Sequence, residues 1–432
     1  MILLLFLLLF CSGVKSFSKI TQCDSSPLCR CVVNEKGLIQ RAICGSINGY
    51  LPRLPKTPYV LPLVSFAYAD LSHLPAYAFD GDKVQSLDLQ GNSFEIGLNI
   101  LAFQTKTTNF LQTLNLEWCK IRQLRHQIFK GLYNLKNLSL SDNSLNILPG
   151  GLFKDLRNLE SLKLSGNPIW IIRPNLFLPL ESLIHLDIGY CAIKSIEKDW
   201  FKTMKYLKHL DLRGNRIKNI QPFIFDQLSQ LEKLYLGHNS FFRLQKRALS
   251  NLRNLTVLSV HEGSLALLDV GAMDDLINLK FLDLSDNNIE HIQAGAADVP
   301  SIERLNLDGN YLRTLPLDIN KMKNLKYLDV SYNRLETFSF CLFKRIKELK
   351  FLNLRENPWN CRCKFLYVVD NLRTKVNSLW PKEERHPGKW SFIPGRCEKP
   401  PKAKGKFLID YLHEPNVNCT LENMVSRCFF QV

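Results

Sequence analysis

A chain of 432 residues, 46% apolar and 22% charged, has ample material for a large core, and its length alone would suggest about two or three domains. Its 56 Lys and Arg against 40 Asp and Glu leave a formal net charge of +16. No apolar run approaches the ~18 residues of a membrane helix. No P-loop, G-x-S-x-G, H-E-x-x-H or dinucleotide fingerprint is present, which argues against those reaction classes.

Residues 2–10 (ILLLFLLLF) are wholly apolar and are followed by the small residues Ser12 and Gly13. That run has the length of a signal-peptide core and is too short to span a bilayer, so residues 1–16 are expected to be a signal peptide. The run lacks the usual preceding Lys or Arg. Thirteen cysteines, of which Cys11 lies in the signal segment, fit an oxidising compartment. Three N-glycosylation sequons agree, at Asn137, Asn254 and Asn418. The closing CFFQV has neither the spacer nor the tail of a lipid-anchor signal. The mature chain is expected to be soluble and secreted, with no membrane span.

Residues 17–60 carry Cys23, Cys29, Cys31 and Cys44 ahead of a repetitive region. An array of repeats exposes its core at each end, and a disulfide-stapled cap covers it. Four cysteines allow three pairings, and spacing does not choose among them.

From residue 61 to residue 360 one phrase recurs. Leu135, Leu138, Leu140, Asn143 and Leu145 return 24 residues later as Leu159, Leu162, Leu164, Asn167 and Ile169, in the form L-x-x-L-x-L-x-x-N-x-L. Two leucines one residue apart point to the same side of a short strand. The Asn amide both donates and accepts, so stacked Asn side chains can satisfy buried turn backbone. One unit cannot bury its apolar side alone; stacking buries it and makes a solenoid with a parallel sheet along one face. First leucine positions at Leu61, Val84, Leu111, Leu135, Leu159, Leu183, Leu207, Leu231, Leu255, Leu279, Ile302, Leu325 and Leu349 define thirteen units. A second series, Phe79, Phe103, Phe129, Phe153, Phe177, Phe201, Phe225 and Phe343, is placed to fill the wide side of each coil. It weakens at Leu249, Met273, Ala297 and Ile319, where thinner packing is expected. Cys119 and Cys191 replace the Asn of their repeats and are expected to be buried thiols.

After Trp359 the phrase stops. Residues 361–419 hold Cys361, Cys363, Cys397 and Cys419 as a second cap, in which FLYVV (365–369) can start a helix, and residues 420–432 form a tail with Cys428.

The repeat and this ending resemble the extracellular leucine-rich-repeat proteins with cysteine caps at both ends, such as Slit proteins, Toll-like receptor ectodomains and the acid-labile subunit of growth-factor complexes. The resemblance covers about residues 20–420. Its most specific part runs N-P-W-x-C-x-C from Asn357 to Cys363, then C-x-x-P at Cys397 to Pro400, Gly405, Leu408 and Cys419. It implies the pairings Cys361–Cys397 and Cys363–Cys419. The N-terminal cap spacings are longer than the family's, and so is the interval from Cys363 to Cys397, with an extra loop at 379–390. A complete Toll-type receptor, with a membrane span and an intracellular signalling domain, is not expected. The expected fold is an α/β solenoid, a leucine-rich-repeat horseshoe with a parallel concave sheet and disulfide-stapled caps. Cys341 and Cys428 are then left over; an internal bridge between them is expected, with a Cys428–Cys428 dimer as the competing outcome.

Two columns should project from the concave sheet. One holds His185, His209, Lys233, Val257, Phe281, Arg304, Tyr327 and Phe351; the other holds Asp187, Asp211, Tyr235, Ser259, Asp283, Asn306, Asp329 and Asn353. Aromatic rings and Arg among polar groups are the composition of interface hot spots. The candidate ligand-binding residues are therefore Trp118, His185, His209, Tyr235, Phe281, Arg304, Tyr327 and Phe351. His185 and His209 should stand about 5 Å apart on adjacent strands. They are expected to form a polar patch, with a metal site or pH switch as the alternative; no cofactor is expected.

Residues 361–408 hold twelve Lys or Arg and four Asp or Glu, densest at KPPKAKGK. An acidic or sulfated glycan is the partner such a run suggests, through Lys399, Lys402, Lys404 and Lys406. Nucleic acid is not expected for a secreted chain. The sequence thus points to a secreted, non-enzymatic protein that recognises an extracellular macromolecule, most naturally a protein, on its concave face. The alternative is a structural or matrix component retained on acidic glycans by its basic cap.

Overall fold

The computed structural model describes residues 19–23, 26–46, 48–104, 110–293, 295–297, 299–315, 321–337, 348–362, 366, 392–393, 395–412 and 414. It divides into two compact units, Met1–Asn167 and Pro168–Val432.

The first unit opens with the antiparallel strands Lys19–Cys23, Ser26–Val33 and Ile39–Cys44. Their register puts Cys29 opposite Cys44 and brings Thr21 beside Cys31. The disulfides are Cys23–Cys31 and Cys29–Cys44, so the structure selects one of the three pairings. Ile39–Cys44 then pairs in parallel with Leu61–Ser65, which hands the cap over to the repeats. Parallel pairing continues through Val84–Asp88, Thr113–Asn115, Asn137–Ser139 and Ser161–Lys163. Leu138 and Leu140, the L-x-L pair, are both buried.

Asn143 shows why the phrase needs its amide. Its Oδ1 accepts from the backbone N–H groups of Cys119 (3.0 Å) and Ile121 (2.9 Å), one repeat earlier. Its Nδ2 donates to Leu116 O (2.8 Å) and Leu140 O (3.0 Å). One buried side chain thereby satisfies backbone groups of two successive coils. Cys119 supplies half of this: its Sγ lies 3.1 Å from Leu89 O, and burial pushes the thiol up to about 12, so it stays a neutral donor. Cys119 and Cys191 are buried thiols, as expected. The rings of Phe79, Phe103 and Phe129 stack at 6.3 Å intervals inside the unit.

The second unit repeats the parallel arrangement through His185–Asp187, His209–Asp211, Lys233–Tyr235, Val257–Ser259, Phe281–Asp283, Arg304–Asn306, Tyr327–Asp329 and Phe351–Asn353. Phe201 and Phe225 continue the ring series at 5.8 Å. Leu249, Met273 and Ala297 follow, smaller but buried. In the two repeats holding Leu249 and Met273 the backbone itself pairs: Arg243–Leu244 runs parallel to Leu267–Leu268, away from the main sheet.

Among the described residues, helix is confined to short pieces such as Lys198–Phe201, Pro401–Ala403 and Leu408–Leu412. The α component of the expected α/β solenoid is therefore small, and the chain returns from strand to strand mostly through turns. None of the described helices is long and apolar enough to cross a membrane.

At the end of the repeats Phe392–Ile393 pairs with Phe351–Asn353, and Trp359–Asn360 with Cys397–Lys399. Trp359 is fully buried and its Nε1 donates to Leu354 O at 2.7 Å. Gly395 lies against that indole, where an added Cβ would come within 2.2 Å of Nε1. The Cys361–Cys397 disulfide is one of the two pairings the family resemblance implied. The signal segment 1–16, the 379–390 loop, Phe343, Cys341, Cys363, Cys419, Cys428 and Asn418 lie outside the described residues.

Candidate functional site

The strands set the site by alternation. In each three-residue strand of the second unit the central Leu is buried, while the residues before and after it face away from the core. The register aligns His185, His209, Lys233, Val257, Phe281, Arg304, Tyr327 and Phe351 in one row, and Asp187 to Asn353 in the second. Seven of the eight residues expected to bind ligand therefore lie on one sheet face. Trp118 belongs to the first unit, where it is exposed in a turn just past its strand.

At the far end of the row the rings of Tyr327 and Phe351 stack face to face, 4.1 Å between centroids and 3° from parallel. Both are half-buried. In the neighbouring row of the same face Asn353 Nδ2 donates to Asp329 Oδ2 and to Ser331 Oγ, each at 2.9 Å, and Ser331 Oγ donates to Asp308 Oδ1 at 2.7 Å. Ser331 N also donates to Asp329 Oδ1 at 3.0 Å, so the carboxylate is held from two sides. Burial, with Asp329 beside it, pushes the Tyr327 phenol up to about 12. Burial also raises Asp308, whose neighbours Asp329 and Asp286 are negative too. Arg304 is exposed on the adjoining strand and Phe281 half-buried on the next. Tyr235 is covered differently: the Arg213 guanidinium sits 4.9 Å over its ring, held by the Asp211 carboxylate at 2.9 and 3.0 Å.

His185 and His209 are adjacent, with ring centroids 4.4 Å apart. Burial and the Lys233 and Lys208 ammonium groups hold His185 below its ordinary value; burial, His185 and Lys233 do the same to His209.

A further row was not foreseen from the sequence. One residue per repeat, just before the ladder position that Asn usually fills, adopts positive φ, including Tyr68, Trp118, Tyr190, His238, Glu262, Asp286 and Tyr332. Bulky side chains rarely accept that conformation. Where the next repeat has glycine, the ring uses the space: a Cβ at Gly91 would lie 2.3 Å from the Tyr68 ring, and one at Gly214 2.4 Å from the Tyr190 ring. The signal was present as glycines alternating with aromatic, acidic and His residues seven positions after the first leucine.

The basic cap is partly neutralised. Lys399 faces Glu336 at 3.0 Å, Lys404 faces Glu398 at 2.6 Å and Lys406 faces Glu414 at 2.6 Å, while Lys402 is exposed. Of the sequons, Asn137 is exposed on the sheet face of the first unit. Asn254 is exposed elsewhere, its Nδ2 donating to Ser229 O at 3.0 Å.

The family described as Leucine rich repeat matches residues 110–169, 170–217, 181–241, 205–262, 253–312 and 300–358, more than half of the chain. Nephrocan of Mus musculus is 30% identical over 76 residues, covering 17% of this chain and 15% of that protein. Toll-like receptor 1 of Homo sapiens is 21% identical over 151 residues, covering 29% and 18%. The chain thus spans less than a fifth of the length of these curated relatives. Among solved structures, a leucine-rich-repeat protein of Leptospira interrogans superimposes with a TM-score of 0.65 at 26% identity, over 74% of this chain and 77% of the other. The Toll–Spatzle complex of Drosophila gives 0.61 at 20% identity over 81% and 54%. The octameric complex of Latrophilin 3, Unc5D and FLRT2 gives 0.52 at 20% identity over 91% and 99%. The last two share the fold.

Proposed function

Because the chain belongs to the leucine-rich-repeat family, we propose that it is a secreted, non-enzymatic recognition protein that binds an extracellular protein through the sheet face of its second unit. The observation that carries this is the stacked, half-buried Tyr327–Phe351 pair beside a hydrogen-bonded Asp329–Asn353 pair. Half-exposed aromatic rings beside an Arg are what binding energy concentrates on. Asp283 and Asp329 accept hydrogen bonds from hydroxyl and backbone groups there, and their charge favours a partner that presents basic as well as apolar side chains. The apolar run at residues 2–10, the described disulfides and the sequons support secretion. A glycan on Asn137 would occupy the first unit's sheet face. That two solved structures of this fold are protein complexes by description agrees with the reading.

The test is capture of the partner from extracellular fluid on the purified glycosylated chain, followed by affinity measurement. Tyr327→Ala with Phe351→Ala is expected to weaken binding by more than about 1 kcal/mol. Unchanged affinity in a folded double variant removes this face from the reading.

A further inference from the structure

Just past the strands of the second unit, three side chains from two successive repeats converge. His238 Nδ1 lies 3.4 Å from Glu262 Oε2, and the His238 and His261 rings meet edge to face with centroids 4.8 Å apart. One ligating atom from each of His238, His261 and Glu262 lies within 4.8 Å of the other two. We propose that these three residues form a zinc site, with the fourth coordination position left to water.

Two imidazoles and one carboxylate are a zinc donor set with an open position. Zinc–ligand bonds of about 2.0–2.2 Å separate the ligand atoms of a tetrahedral site by about 3.3–3.5 Å. The His238–Glu262 edge already has that spacing. The remaining closure is roughly 1 Å, within reach of side-chain torsions because Glu262 is exposed and His238 half-buried.

The surroundings fit a metal ligand better than a chance surface pair. The buried Ser259 hydroxyl lies 2.7 Å from His261 Nδ1, where it can accept that proton and leave Nε2 to ligate. Such a second partner orients a ligating histidine. Gly237 makes room for the ring, since a Cβ there would come within 2.8 Å of His261 Nδ1. His185 and His209 lack these features. Their neighbours Lys208 and Lys233 are cations, and among the described residues no third ligand joins them.

The experiment is titration of the full, tag-free glycosylated chain with Zn²⁺ against a chromogenic zinc chelator. The expected result is one bound equivalent, with His261→Ala and Glu262→Gln each weakening affinity at least tenfold. Ser259→Ala is expected to weaken it by about tenfold, the low end for an outer partner, and His185→Ala with His209→Ala to leave it unchanged. Glu262→Gln alters an exposed side chain, so its fold is not at risk. No zinc uptake by the intact chain, or uptake unaltered by Glu262→Gln or by His238→Ala with His261→Ala, overturns the proposal.

Discussion

The sheet faces of the two units share a backbone and differ in cargo. In the first unit the outward positions hold Ser86, Thr113, Asn137 and Ser161 in one row and Asp88, Asn115, Ser139 and Lys163 in the other. In the second the same positions hold paired histidines, Phe281, Arg304 and a stacked Tyr–Phe pair. The buried rows do not differ in this way: leucines occupy the strand centres of both, and ladder Asn residues recur in both. The second outward row still serves the fold, since Asp88, Asn115, Asp211, Asp283 and Asp329 accept backbone N–H groups two residues on; the large rings of the first outward row answer no such demand and call for another explanation. Binding supplies one, because an exposed ring costs solubility and returns nothing to the core.

That contrast can be broken at its structural end. Phe129→Ala removes a buried ring from the stack and is expected to cost about 3–5 kcal/mol. Ser86→Ala with Thr113→Ala, on the first unit's face, should stay within about 0.5 kcal/mol. Urea unfolding of both variants decides it; a face pair as costly as the ring would show that the first outward row is structural after all.

A smaller effect sharpens the difference between rows that serve the fold and rows that do not. Gly214 has φ of +65° and lies under the Tyr190 ring. Gly214→Ala is expected to cost about 1–2 kcal/mol from the left-handed backbone, and more if the ring cannot swing away. Tyr190→Ala in the same background should recover the part due to the ring. Thermal unfolding of the single and double variants measures both, and an unaffected midpoint in Gly214→Ala would refute the packing described for this row.

The smallest expected effect concerns acidification. His185 and His209 are held below the ordinary 6.5 by burial and by lysine charge, so the fold favours their neutral forms. The unfolded chain takes up protons at higher pH than the folded chain does. The stability they contribute is thus present above pH 6.5 and declines as pH falls through their lowered folded values. Both imidazoles should titrate below 6.5 by nuclear magnetic resonance, and His185→Gln with His209→Gln should flatten stability between pH 7 and pH 5. Midpoints at or above 6.5 would contradict the environment described.

Much of this was legible in the residues, for a physical reason. A repeat constrains its neighbours at a constant offset, so Leu138, Asn143 and Phe129 announce strand, ladder and core by spacing alone. Strand alternation then carries His185 to Phe351 onto one face without further information. The same logic identified Cys119 and Cys191 as buried substitutes for Asn.

What lay beyond it depends on where the chain goes after the periodic part ends. Pairing of Cys23 with Cys31, and Cys29 with Cys44, follows from the register of an antiparallel cap that has no repeat to read. The ion pairs that occupy Lys399, Lys404 and Lys406 join residues at irregular separations, so a charge run that looks unpaired in sequence is partly compensated in space. The meeting of His238, His261 and Glu262 arises from positive φ at His238 and Glu262 and from the missing side chain at Gly237. Composition and periodicity decide which residues are buried, because burial repeats with the coil. Only the tertiary structure decides which exposed groups touch, because that rests on the direction of each side chain at the turn.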